Sequence, residues 1–324
     1  MVILRKIAAV FLVLVISGWI FDRYLLRDFL DDHAEQKLQV EKIKNCDVVY
    51  MSASSNFPQY GDDDTRKISQ MVASYFPNQR FEAINKPASH AGVFKRLMNS
   101  FPENSEVSTF IITINLRSFG ADWIYSELES SLNKANLMYS NRPAIINRVL
   151  IGLQAYESLT EEERTSLRNE YWDDQTLPVS DALISVNKWC AEYKWGDWKN
   201  PKRQLADQFI KQYAIIIQED NPRIQDLDAL VHEAQHSGVN LLFHILPENL
   251  EKADSLVGSD LVEIMKDNAQ FIEERYSSKG IIVVNNIDLV PSESFTDKDF
   301  PTEHYDQRGR QAVASSVAQQ LKKL

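Results

Sequence analysis

Cysteine is nearly missing from this sequence: Cys46 and Cys190 are the only two in 324 residues. A disulfide-stapled scaffold is excluded; one bridge between them or two buried free thiols both remain open. Histidine is scarce as well, six in all, and no Cys/His spacing matches a zinc site. His232 and His236 form an i, i+4 pair with no candidate ligands nearby, which reads as solvent-facing, so no metal and no organic cofactor is implied. There is no lysine- or arginine-rich stripe to answer the acidic balance, in which 35 Lys+Arg stand against 46 Asp+Glu for a net charge of −11. That surface repels phosphate backbones, and nucleic acid is excluded as a partner. Internal repeats and low-complexity tracts are absent too.

What is present is ordinary globular material, 44% hydrophobic and 25% charged, long enough for one large α/β domain with insertions or for two small ones. The first 27 residues are different. Arg5 and Lys6 precede an uncharged run from Ile7 to Phe21, which Asp22 and Arg23 close. As a helix the run spans about 22 Å, short of a hydrocarbon core of about 30 Å. Snorkelling by Arg5, Lys6 and Arg23, with Trp19 and Tyr24 at the interface, extends its reach. A cleaved signal peptide is the rival reading, but no convincing Ala-x-Ala-like site follows the run. The expectation is an uncleaved single-pass anchor in a cell inner membrane. Residues 28–45 then form a charged helical stalk, and 46–324 lie on the periplasmic or extracytoplasmic side.

Beyond residue 46 the pattern repeats strand, polar turn, helix. Val48–Met51 reads as a buried strand that breaks into Ser52-Ala53-Ser54-Ser55-Asn56, and a helical pattern resumes through Ile68, Met71 and Val72. Asp62-Asp63-Asp64 comes before that helix, where carboxylates favour the positive end of the dipole. A second strand, Arg80 to Ile84, leads into Lys86-Pro-Ala-Ser-His-Ala-Gly92 and a helix. Ser108 to Leu116 is nearly all apolar, as in a strand covered on both faces. It ends at Asn115, Leu116 and Arg117. Residues 140–238 interrupt the rhythm and read as a helical, Trp-rich insertion, a cap over the sheet's carboxyl edge whose rings form its own small core, with stacking on sugar rings as the alternative. Val239–Ile245, a long helix from Leu256 to Tyr276 and Ile281–Val284 resume the sheet. The expected fold is a three-layer, doubly wound, mostly parallel five-stranded sheet. Ligands bind such sheets at the carboxyl edge. There His90 and Arg117 are candidates for binding a carboxylate or sulfate, while Arg117 paired to Asp122 or Glu127 is the alternative.

The order of a serine turn after strand one, a glycine loop after strand two, an asparagine after strand three and a late Glu-His-Tyr-Asp-Gln-Arg-Gly segment resembles the SGNH (GDSL-like) hydrolase superfamily. The resemblance covers roughly residues 46–135 and 239–324 and points toward membrane-anchored SGNH-like proteins of envelope acyl transfer, such as those of alginate acetylation or D-alanine transfer. It implies Ser54 as nucleophile and His304 as general base. It also implies an oxyanion hole from the N–H groups of Ser54 and Gly92 and the Asn115 side chain. The chemistry needs these types, because a serine hydroxyl requires an imidazole to take its proton and the oxyanion requires preorganised donors. The family's aspartate stands three residues before the histidine, where this chain has Pro301. Asp299 is taken as the acid, with Asp297 or a backbone carbonyl as alternatives. Ser52 and Ser55 remain alternative nucleophiles. The implied substrate is an acylated envelope polysaccharide, acetylated above all, with a membrane acyltransferase as a further partner.

Overall fold

The computed structural model describes residues 2–24, 45–99, 101, 105–139, 144–179 and 182–324. Most of the expected stalk, residues 28–45, lies outside the described residues.

The strands are β1 (Val48–Ser52), β2 (Phe81–Asn85), β3 (Thr109–Ile114), β4 (Thr176–Val179), β5 (Ala182–Ser185), β6 (Asn240–Ile245) and β7 (Ile282–Asn285). Five of them make one sheet in the order β2-β1-β3-β6-β7, and every pairing in it is parallel. Alternate side chains point to opposite faces of a strand, so a sheet covered on both sides carries apolar residues throughout. Val49, Met51, Phe110, Ile112, Leu241 and Phe243 enter the core on one face. Val48, Tyr50, Ile111 and Leu242 enter the core on the other. Helices 91–99, 222–237 and 259–277 cover the first face, and helices 68–73 and 307–321 cover the second. This is the expected three-layer α/β arrangement.

Within the five strands, β1 is flanked by β2 on one side and β3 on the other. The chain's winding reverses there, which opens a crevice between the carboxyl ends of β1 and β3. The turns after these two strands are those that carry Ser54 and Asn115.

Two expectations change. The 140–238 insertion is not all helical: β4 and β5 pair antiparallel inside it. Each is four residues long, and Pro178 interrupts the propensity signal while sitting in a two-stranded ribbon, where proline is tolerated. Trp172 and Trp189 are buried with Leu177, Val179 and Ile184, so those rings do form core. The helix expected from Leu256 to Tyr276 runs over Ser259–Ser277, and a separate short helix that the sequence reading did not give, Leu250–Leu256, precedes it. Gly258 joins them at φ 120°, a conformation that side-chain-bearing residues rarely adopt.

The acidic run acts at longer range than a helix dipole. Asp62 accepts from buried Arg310 at 2.7 Å, tying the last helix to the loop behind Ser54. Cys46 and Cys190 are both free and buried. The N-terminal helix runs over Val2–Tyr24, longer than the bare apolar run. At about 35 Å it is long and apolar enough to cross a membrane. Its Asp22 pairs with Arg148 at 2.5 Å.

Candidate active site

β1 ends at Ser52, and the chain turns at once into a short 3-10 turn over Ser54–Asn56. The turn is fastened from below. Asn56 Oδ1 accepts from Ser69 N at 2.8 Å, and its Nδ2 donates to Ser69 Oγ and to Asn85 Oδ1. Ser52 Oγ donates to the same Asn85 oxygen at 2.8 Å. Ser52 and Ser55 are buried, whereas Ser54 is partly open. Of the three serines the structure brings Ser54 to the histidine: His304 Nε2 lies 2.9 Å from Ser54 Oγ.

The carboxylate that meets the histidine is that of Asp297, not Asp299. His304 Nδ1 is 2.9 Å from Asp297 Oδ2, while Asp299 is exposed on the outside of the same loop. The physical reason is that residues 295–305 fold back on themselves. Phe295 and Tyr305 form an antiparallel bridge, and Thr296 N donates to His304 O at 3.0 Å. Asp297 therefore faces His304 across the loop, seven residues away, and Pro301 falls in the bend. Thr302 Oγ1 also donates to Asp297 Oδ2. An ionised carboxylate only accepts, so the Asp297 contact places the imidazole proton on Nδ1. Nε2 is then the acceptor for the Ser54 hydroxyl.

Asn115 caps the turn after β3. Its Oδ1 accepts from Arg117 N at 2.8 Å, and its Nδ2 donates to Glu303 Oε2 at 2.9 Å. One Nδ2 hydrogen remains for an oxyanion. Gly92 is placed differently from the expectation. It opens helix 91–99, and its N–H donates to His90 Nδ1 at 3.2 Å, which leaves it committed within the protein. The Ser54 N–H starts its 3-10 turn, where amides have no acceptor within the turn. The loop before Gly92 holds Ala88 at φ 58°, a strained conformation for alanine.

His90 and Arg117 are not open to a ligand. His90 is 2% exposed, sits edge-on to Trp123 and lies 3.4 Å from Glu129. Burial, followed by the nearby charges of Arg223, Arg96 and Lys95, lowers its pKa to about 2, so it is neutral. Arg117 binds Glu303 in a two-pronged pair, Nε to Oε1 at 2.6 Å and Nη2 to Oε2 at 2.7 Å. Both are buried. Burial works against the arginine's charge, but the attraction and hydrogen bonds of Glu303 outweigh it and hold the guanidinium charged. The sequence placed these side chains at strand ends without showing that buried Glu303 and partly exposed Glu129 stand beside them.

A second buried carboxyl, Glu248, stands beneath this pair. Tyr213 OH donates to its Oε2 at 2.6 Å. Burial first, then the neighbouring charge of Glu303, pushes the Glu248 carboxyl well above the usual carboxylate range. Sequence reading missed Glu248; its position just past β6 at the carboxyl edge is the only signal that pointed there. Among the described residues no group of three or more His, Cys, Asp or Glu is arranged to hold a metal ion.

Serine, imidazole and carboxylate stand in line at the crevice of a doubly wound parallel sheet, with an asparagine on the neighbouring turn, and so define a class: a three-layer α/β protein with a Ser–His–Asp arrangement at its carboxyl edge. No protein-family model matches the chain. No curated protein matches it either. Among solved structures, a GDSL-like lipase from Bacteroides thetaiotaomicron is similar over 90% of this chain and 97% of its own, at 10% identity and a TM-score of 0.40. An acetyl-xylooligosaccharide esterase from a Geobacillus is similar over 86% of this chain and 96% of its own, at 7% identity and a TM-score of 0.39. For an extracellular lipase from Streptomyces rimosus the figures are 84%, 99%, 10% and 0.36.

Proposed function

We propose that the protein is a serine esterase or acyltransferase acting on acyl groups, acetyl above all, of an envelope or extracellular polysaccharide. The observation that carries the reading is the unbroken chain from Ser54 Oγ through His304 to Asp297 Oδ2. Ser54 Oγ attacks the acyl carbon while its proton passes to His304 Nε2, and Asp297 stabilises the imidazolium. The carbonyl electrons move onto oxygen, where Asn115 Nδ2 and the Ser54 N–H donate. When the intermediate collapses, His304 returns the proton to the departing sugar oxygen and leaves an acyl-Ser54. Water then takes the acyl group in hydrolysis, or a sugar hydroxyl takes it in transfer. The helix Val2–Tyr24 holds this domain on the outer face of an inner membrane, near its polymer and a membrane acyltransferase. A second reading, a non-catalytic glycan-binding or assembly partner of that acyltransferase, draws support from the Gly92 amide being committed to His90.

A fluorophosphonate probe separates the two. The full chain in detergent is expected to be labelled, and Ser54→Ala and His304→Ala to lose both labelling and hydrolysis of p-nitrophenyl acetate, by about 10⁴-fold or more. Undiminished turnover by Ser54→Ala would sink the catalytic assignment, and an unlabelled folded wild type would favour the second reading.

A further inference from the structure

Glu303 connects two halves of the site that come from opposite ends of the chain. It directly precedes His304, yet its carboxylate points away from the imidazole to Arg117 and Asn115 on the turn after β3. The amide of an asparagine is nearly symmetric in shape, and what distinguishes its two ends is their partners. Here both ends are fixed. The Arg117 N–H can only donate, so it selects Oδ1; the Glu303 carboxylate can only accept, so it selects Nδ2. Ser118 Oγ also donates to Asn115 O at 2.7 Å, which holds the backbone of the same residue. With one Nδ2 hydrogen given to Glu303, the other is left in a single direction. Arg117 makes the arrangement affordable in charge, because a buried carboxylate without a cation would take a proton and could then present a donor to Asn115.

We infer that Glu303 is a positioning residue for the acyl-transfer reaction: it fixes the orientation of the Asn115 amide as an oxyanion donor and, through its peptide link to His304, sets that donor in register with the general base. The inference rests on the serine-hydrolase reading above. Glu303 touches no reacting atom. Its effect passes through Asn115, and it falls on transition-state stabilisation rather than on substrate binding.

The test is a double-mutant cycle on the full chain in detergent, with p-nitrophenyl acetate as substrate. Glu303→Gln keeps the shape but presents an NH2 group to one of its donors. It is expected to lower kcat by about a hundredfold with KM changed by less than about threefold. Asn115→Ala is expected to cost much the same alone, and less than about threefold more when added to Glu303→Gln. A residue that merely supports the fold gives losses that multiply, and multiplying losses would overturn the inference. If Glu303→Gln fails to fold by near-UV circular dichroism, Arg117→Met/Glu303→Gln removes both buried charges together and must show the same non-additivity with Asn115→Ala. A wild type that neither hydrolyses the ester nor labels at Ser54 removes the hydrolase reading and this inference together. A labelled, active wild type with an additive cycle removes this inference alone.

Discussion

Asp297 and Asp299 are two positions apart in sequence and have different fates: one contacts the imidazole and the other faces solvent. Asp297→Asn offers an amide where the His304 Nδ1–H needs an acceptor, and it disturbs the tautomer the serine depends on. Its kcat on p-nitrophenyl acetate is expected to fall by about 10²–10⁴-fold, whereas Asp299→Asn stays within about twofold. Equal effects would mean that the loop does not hold the contact described. The serine, the histidine and the asparagine were legible because each follows a recognisable strand or precedes a recognisable helix. The acid was not, because an aspartate that reaches the histidine across a folded-back loop has no fixed spacing from it. Arg117 and His90 were legible as residues at strand ends but not as buried ones. Their partners Glu303 and Glu129 come from remote stretches, and pairing at that separation leaves no local trace.

Among the elements, the last helix fixes the segment that carries His304. Asp306 caps it by accepting from Gly309 N at 2.8 Å, and Gly309 packs against the residue that follows His304. A Cβ at Gly309 would stand 2.8 Å from Tyr305 Cβ and 3.2 Å from Val290 Cγ1. Tyr305 is itself held, with its hydroxyl donating to Pro247 O at 2.9 Å and its ring edge-on to Phe295. Alanine gains up to about 1 kcal/mol over glycine in a helix, but overpacking a fixed core costs about 1–3 kcal/mol. Gly309→Ala is therefore expected to lower Tm in a thermal scan, and a raised Tm would show that the contact is not tight. The five parallel strands and their flanking helices were readable because continuous apolar runs between polar turns leave few alternatives. The β4–β5 hairpin was not, since two four-residue strands with a proline between helices resemble a loop.

For the molecule as a whole, stability is tied to pH through histidines buried in neutral form. Ser316 Oγ donates to Asn286 Oδ1, so the Asn286 Nδ2 faces His244 and donates to its Nε2 at 3.0 Å. That nitrogen must stay unprotonated, and burial lowers the His244 pKa to about 3. Unfolded histidine titrates near 6.5. The unfolded chain therefore binds the proton first, and the stability His244 supplies is present above about pH 6.5 and lost as pH falls toward 3. The Glu248 carboxyl, raised in the folded state, acts in the opposite sense, so the clean measurement is a difference. The stability gap between wild type and His244→Gln, from urea denaturation, is expected to narrow steadily from pH 7 to pH 4. A constant gap would mean that His244 is protonated alike in both states. The folded-back loop has a consequence for descent as well. Acid and base travel on one short segment closed at its base by the Phe295–Tyr305 bridge, so a single exchange of that stretch between genes carries both. Between them, Lys298, Asp299 and Phe300 lie exposed; Lys298 Nζ donates to Phe295 O and the Phe300 ring stands 5.9 Å from the Arg117 guanidinium, so Asp299 is the position of the three where substitution is best tolerated.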